Sequence, residues 1–211
     1  MNKTYTLALS LALGCSRSAP PSATVTPAAP VATAPAAAPE APANNGLRAT
    51  ELAVESRARD TILAVGDPAP TFSATTHDGH AVASTGGPRE RVLVVYFYPR
   101  DETPGCTREA CAFRDAFSAY GEAGADLVGV STDSLEAHRA FAQHHTLPFG
   151  LIADPRGWLA AAFGVQNNGG FLQRATFVIG RDGRVAQVFP QVRVDGHSDE
   201  VLAAVRAAAA R

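Results

Sequence analysis

Residues 92–98 read Val-Leu-Val-Val-Tyr-Phe-Tyr, an uninterrupted apolar run that Pro99 ends. The run is rich in β-branched and aromatic residues and has no alternating polar positions, which is the pattern of a strand buried on both faces. Such strands lie at the centre of parallel sheets that helices cover on both sides. The run therefore predicts the central strand of an α/β fold.

The segments on either side predict the rest of the sheet. Apolar runs at 127–130 and 151–153 predict two more buried strands, and Asp-Gly pairs at 78–79 and 182–183 predict two β-hairpins. Helices are expected at 107–120, at 157–163 and from Ser198 onward, and Asp133 with Glu136 forms a capping-box pattern for a helix to about His145. The resulting order predicts an α/β sandwich with a mixed sheet, parallel central strands and right-handed crossovers.

Cys106 follows the central strand, at the start of the next predicted helix. Active sites of open α/β sheets lie beyond the carboxyl ends of the strands, and the amides and dipole of a helix N-terminus favour a thiolate there. The dipole contributes at most about 2 kcal/mol. We therefore expect a fixed cation beside the sulfur.

The spacing of Pro99, Thr103 and Cys106 resembles the active-site motif of the peroxiredoxins, Pro-x-x-x-Thr-x-x-Cys. The string from Tyr98 to Asp115 is similar to the subfamily of bacterioferritin comigratory proteins, also called PrxQ. The resemblance extends from about residue 65 to the C-terminus and includes the stretches 130–134, 147–149 and 174–179. It implies a thioredoxin-like fold and a thiol-dependent peroxidase.

The resemblance also implies a role for each matching residue. Cys106 would be the peroxidatic nucleophile, which attacks a peroxide oxygen and becomes a sulfenic acid. Arg174 would hold the thiolate and polarise the peroxide, Thr103 would orient the peroxide, and Pro99 would shield the sulfur from water. Glu109, one helical turn after Cys106, would aim Arg174.

Cys111 matches the resolving cysteine of the subfamily. Residues five apart in a helix have Cα atoms about 8.6 Å apart and point some 140° apart, whereas a disulfide requires about 4.4–6.8 Å. A Cys106–Cys111 disulfide therefore requires the helix to unwind from Cys106 to about Phe113, and we expect a folded reduced form and a locally unfolded oxidised form.

The resemblance implies hydrogen peroxide and organic hydroperoxides as substrates, no cofactor, a thioredoxin-like protein as reductant, and a monomer or weak dimer. Two other functions remain open from the residues alone. One is an envelope disulfide reductase of the thioredoxin type, although those proteins use Cys-x-x-Cys. The other is a redox sensor in which Cys106 only signals.

Several polar side chains have simpler interpretations than catalysis. A metal clamp at the cysteines is not expected, because zinc sites usually combine Cys-x2–4-Cys with further close ligands. The histidines His138, His144 and His145 fall on another predicted helix, and the last two read as a solvated helix end. Three carboxylates are expected to be surface charges: Asp101, Glu102 and Asp115.

Residues 1–15 resemble a bacterial export signal, with Lys3, a short apolar stretch, and Gly14 before Cys15. This ending resembles a lipobox, which implies a lipid on Cys15 and a membrane-anchored protein of the cell envelope that faces the periplasm. Ordinary secretion with Cys15 removed, and a cytoplasmic protein with a misassigned start, remain alternatives.

Residues 16–45 contain 11 Ala and 7 Pro, so this segment has little to bury and predicts a disordered, partly polyproline II tether. Residues 46–211 then form one domain. Over the whole chain, 18 basic against 20 acidic residues give a net charge of −2, which argues against a nucleic-acid-binding protein.

Overall fold

The computed structural model describes residues 52–211. The predicted signal, tether and lipidation site at Cys15 lie outside these residues. Within them the strands are β1 (Ala53–Val54), β2 (Phe72–Thr75), β3 (Ala81–Ser84), β4 (Val92–Phe97), β5 (Ala125–Ser131), β6 (Gly150–Ala153), β7 (Asn167–Asn168), β8 (Phe171–Leu172), β9 (Ala175–Ile179) and β10 (Val185–Phe189). The helices are α1 (Pro104–Asp115), α2 (Phe117–Glu122), α3 (Leu135–His145), α4 (Trp158–Phe163) and α5 (His197–Ala209).

The main sheet has the strand order β10-β9-β4-β5-β6, so the 92–98 run forms its central strand as predicted. Strands β4, β5 and β6 are parallel, while β9 runs antiparallel to β4 and β10 antiparallel to β9. This is the mixed α/β sheet that the sequence predicts. Smaller sheets combine β1 with the β2–β3 hairpin, and β7 with β8.

Strand β4 is buried on both faces because its side chains alternate between two hydrophobic clusters. Leu93, Val95 and Phe97 pack on one face with α4 and β2. Val94 and Tyr96 pack on the other face with residues of α1, α3 and α5. The alternation follows from the two-residue period of a strand, and it fixes which face of the sheet carries α1.

The helix predicted at 107–120 is two helices. The first of them, α1, begins before the predicted start, at Pro104, because proline suits the first turn of a helix, where its missing N–H would have no partner. It ends at Asp115, and α2 resumes at Phe117. The break turns Phe117 toward Phe149, whose ring centroid lies 6.0 Å away.

The capping residue of α3 is Ser134 and not Asp133, which corrects the prediction by one position. The Ser134 side chain accepts a hydrogen bond from the amide of Ala137 at 3.2 Å. The carboxylate of Asp133 instead accepts from Ser131 Oγ and from the amide of Asp101. Both hairpins form as predicted.

Gly169 and Gly170 connect β7 to β8, and both have positive φ. A two-residue turn with positive φ at both positions matches the twist of a hairpin, which explains this additional element. Across residues 52–211, no helix has the length and apolar character needed to cross a bilayer.

Candidate active site

Cys106 is the third residue of α1 and lies just beyond the carboxyl end of β4. Its side chain is buried, with 2% of its surface exposed, and it packs in the cluster with Tyr96 and Phe113. The first amides of an α-helix lack intrahelical acceptors, so α1 directs unpaired N–H groups toward its own N-terminus. The sulfur therefore lies in an apolar site close to backbone donors.

Arg174 is the cation beside this sulfur, 68 residues away in the chain. Its Nη2 donates to Cys106 Sγ at 3.2 Å. The proximity follows from the sheet, because Ala175 of β9 is paired with Phe97 of β4, which places Arg174 at the carboxyl end of the central strand. The sequence prediction of a fixed cation and the observed geometry thus agree.

Glu109 lies on the inner face of α1 with 1% of its surface exposed, and its Oε2 accepts from Arg174 Nη1. Burial raises the pKa of Glu109 to about 7, although the guanidinium opposes this shift. Burial acts to lower the pKa of Arg174, but Glu109 and Cys106 outweigh it, so the Arg174 pKa lies above its ordinary value. Arg174 thus joins the carboxylate to the sulfur.

Thr103 precedes α1, and its hydroxyl donates to the carbonyl of Arg100 at 3.0 Å and does not cap the helix. With its hydrogen directed at this carbonyl, the hydroxyl oxygen has lone pairs free to accept a hydrogen bond from a ligand. Pro99 is half-buried where β4 ends. The structure thus brings Cys106, Arg174 and Glu109 into contact and places Thr103 and Pro99 on the loop before them.

Cys111 is half-buried on the same helix, and both cysteines are reduced thiols. Since α1 is continuous from Pro104 to Asp115, the two Cα atoms have the helical separation of about 8.6 Å. The two sulfurs cannot bond in this conformation.

The expectation that Asp101 is a surface charge was wrong. Its side chain is buried, with 7% of its surface exposed; Tyr98 Oη donates to Oδ1 at 2.7 Å, and His138 Nδ1 lies 2.8 Å from Oδ2. The other ring nitrogen of His138 lies 3.2 Å from the carbonyl oxygen of Ile152. Glu102 and Asp115 are exposed as predicted.

This network joins the loop after β4 to α3 and to the next strands. The backbone of Asp101 also donates to Asp133 Oδ2 at 2.9 Å, so both its side chain and its main chain are fixed. Sequence reasoning missed the network because the contacts of Tyr98 and Asp101 with His138 and Asp133 join residues 32 to 40 positions apart. One available signal was the position of His138 one turn before the buried Phe141, on the apolar face of α3.

Comparison with known proteins agrees with this geometry. Residues 65–188 match the model of the AhpC/TSA family. A Coxiella burnetii protein named peroxiredoxin bcp is 40% identical over 147 residues, which span 66% of this chain and 97% of that protein. The chloroplastic peroxiredoxin Q of Sedum lineare is 41% identical over 140 residues, which span 65% of this chain and 75% of that protein.

Solved structures show the same likeness. One belongs to the Xanthomonas campestris bacterioferritin comigratory protein, described for its alkyl peroxide reduction activity. It superposes with a TM-score of 0.61 at 32% identity and covers 71% of this chain and 99% of that one.

Proposed function

The chain belongs to the AhpC/TSA family and is a thiol-dependent peroxidase of the peroxiredoxin Q type, and from this premise we propose how its residues divide the reaction. The observation that carries the proposal is the 3.2 Å contact between Arg174 Nη2 and Cys106 Sγ. A partly buried guanidinium with a hydrogen bond to sulfur favours the thiolate, which is the form that attacks peroxide.

In the first step the Cys106 thiolate attacks one peroxide oxygen and the O–O bond breaks. The sulfur and the attacked oxygen form a sulfenic acid, and the second oxygen leaves as hydroxide or alkoxide, which takes a proton from the solvent to become water or an alcohol. Arg174 and the helix amides stabilise the charge that develops on the oxygens, because these donors are already oriented in a site of low polarity. Hydrogen peroxide and organic hydroperoxides both fit this chemistry.

The neighbouring residues orient the reactants. Thr103 accepts the hydrogen of the peroxide, since its own hydrogen is directed at the carbonyl of Arg100. Pro99 limits water at the mouth of the site. Glu109 holds the guanidinium in position through Oε2.

In the second step the Cys111 thiolate attacks the sulfur of the Cys106 sulfenic acid, and hydroxide leaves and is protonated to water. The first turns of α1 must unwind for this step, because the helical separation exceeds what a disulfide spans. An exported thioredoxin-like dithiol then reduces the disulfide with two electrons and restores both thiols.

The test is peroxide consumption by two variants. Cys106→Ser removes the nucleophile and should abolish turnover, whereas Cys111→Ser should consume one equivalent of peroxide and stop. Mass spectrometry should then find the added oxygen on Cys106. Consumption of peroxide by Cys106→Ser at the wild-type rate would contradict the assignment, and disulfide reductase activity without peroxide consumption would favour the reductase alternative.

We also propose that the chain works in the cell envelope as a lipid-anchored monomer or weak dimer, with residues 16–45 as the tether from the membrane. The support is the lipobox-like ending at Cys15. Mass spectrometry of the mature N-terminus should show Cys15 as the first residue with an attached diacylglyceryl group. An unmodified Met1 in the native host would favour the cytoplasmic alternative.

A further inference from the structure

The cluster of Glu102, His144 and His145 lies outside the catalytic residues. Glu102 Oε1 is 3.0 Å from His144 Nδ1, and Glu102 Oε2 is 3.0 Å from His145 Nε2. One carboxylate thus lies between two imidazoles, whose ring centroids are 4.3 Å apart.

The fold holds this cluster from two sides. The histidines are the last two residues of α3, and the ring of His145 packs on the ring of Phe141 at 4.9 Å. The carbonyl of His145 accepts from Arg114 Nη1, and the charge of Arg114 is itself paired with Asp115. Glu102 follows the fixed Asp101 and has a φ of 58°.

The donor set is that of a transition-metal site. One ligand atom from each of the three residues lies within 4.8 Å of the other two. Two imidazole nitrogens with one carboxylate oxygen, and a position open to water, suit Zn²⁺, whereas Mg²⁺ and Ca²⁺ prefer oxygen ligands throughout. The C-terminus of α3 adds the negative end of a helix dipole, which favours a cation.

We propose that Glu102, His144 and His145 bind a divalent transition-metal ion of the zinc type, and that the ion ties the active-site loop to the end of α3. Glu102 stands between the anchored Asp101 and the N-terminus of α1. With the ion bound, Glu102 can no longer move as the unwinding of α1 around Cys106 requires. The step that forms the disulfide therefore becomes slower. This consequence rests on the proposed function, whereas binding of the ion does not.

The binding test uses Zn²⁺ in calorimetric titrations of a protein with Cys106→Ser and Cys111→Ser, so that the thiols cannot take the metal. We expect one site, with affinity at least tenfold weaker in His144→Ala and in Glu102→Gln. The matched control is Glu136→Gln, the same chemical change at the exposed first turn of α3, which should leave the affinity unchanged.

Nitrogen NMR of the imidazoles locates the ion. The resonances of His144 Nδ1 and His145 Nε2 should shift on addition of Zn²⁺, while those of the exposed His80 should not. Equal affinity in the parent, His144→Ala and Glu102→Gln proteins would overturn the site, whatever the peroxidase activity of the chain.

The kinetic test compares proteins with both thiols, loaded with Zn²⁺ and given one equivalent of peroxide. Disulfide formation should be several-fold slower with Zn²⁺ in the parent chain but not in His144→Ala. The variant keeps both thiols, so it also controls for slowing by metal that the thiols bind. Equal slowing in both proteins, or none in either, would overturn the restraint.

Discussion

The loop at residues 98–101 and the first turns of α1 are adjacent in the chain, yet they are held in different ways. The loop is fixed by hydrogen bonds to other elements, through Tyr98, Asp101, His138 and Asp133. The start of α1 is held by its own helical bonds, by apolar contacts, and by Arg174, which contacts Cys106 and Glu109.

Because of this difference, the two segments respond differently when Cys106 is oxidised. Oxidation of Cys106 to the sulfenic acid removes the negative charge of the thiolate, and with it much of the attraction to Arg174. The hydrogen bonds that fix the loop do not involve Cys106, so this oxidation leaves them in place. The loop therefore remains a fixed support while the helix that carries both cysteines is released to unwind.

The largest expected effect comes from removing the guanidinium that holds the helix. In Arg174→Gln the sulfur loses its cationic donor, and we expect the rate of the first oxidation to fall by roughly 10²–10³-fold. Stopped-flow measurements with one equivalent of peroxide give this rate. Arg108→Gln, at an exposed position on the same helix, is the matched control and should change the rate little.

The second effect tests the anchoring of the loop. Asp101→Asn replaces a carboxylate oxygen that faces the buried His138 by an amide NH2, and a buried polar group that loses its hydrogen-bond partner costs up to about 3 kcal/mol. Urea denaturation should show this loss in the free energy of unfolding, whereas Asp115→Asn, an exposed carboxylate, should cost little. Equal losses in the two variants would mean that the loop is not anchored by this network.

The third and smallest effect concerns pH. Since the folded pKa of Glu109 is about 7 and its ordinary value is 4.5, the folded state holds more protons between these values, and the contribution of Glu109 to stability falls as pH rises. From pH 5 to pH 7 the wild-type chain should lose about 2 kcal/mol more than Glu109→Gln. Burial raises the pKa of Asp154 to about 6, but Asp154 contributes equally to both proteins, so the difference isolates Glu109. Parallel pH profiles would contradict the raised pKa.

Local patterns in the sequence predicted much of this structure, because they depend on neighbouring residues. The apolar run of β4, the Asp-Gly hairpins and the position of Cys106 at a helix start all follow from short-range periodicity and turn chemistry. The family resemblance at residues 174–179 also pointed to Arg174, and the pairing of Ala175 with Phe97 explains why it reaches the sulfur.

Features that depend on distant packing could not be predicted in this way. The burial of Asp101 requires His138 from α3, and the contact of Glu102 with His144 requires the end of the same helix. The break between α1 and α2 likewise depends on where Phe117 meets Phe149. The N-cap of α3 is Ser134 and not Asp133 because the Asp133 carboxylate accepts a hydrogen bond from the amide of Asp101 in the loop. Ser134 accepts the hydrogen bond from the first turn of the helix instead.

Hydrogen exchange in the dithiol and disulfide forms tests the contrast between loop and helix most directly. On oxidation the amides from Cys106 to about Phe113, including Ala110, should exchange much faster, while the amide of Asp101 should keep its protection. Unchanged protection at Ala110 in a protein whose Cys106–Cys111 disulfide is verified by mass spectrometry would contradict the account.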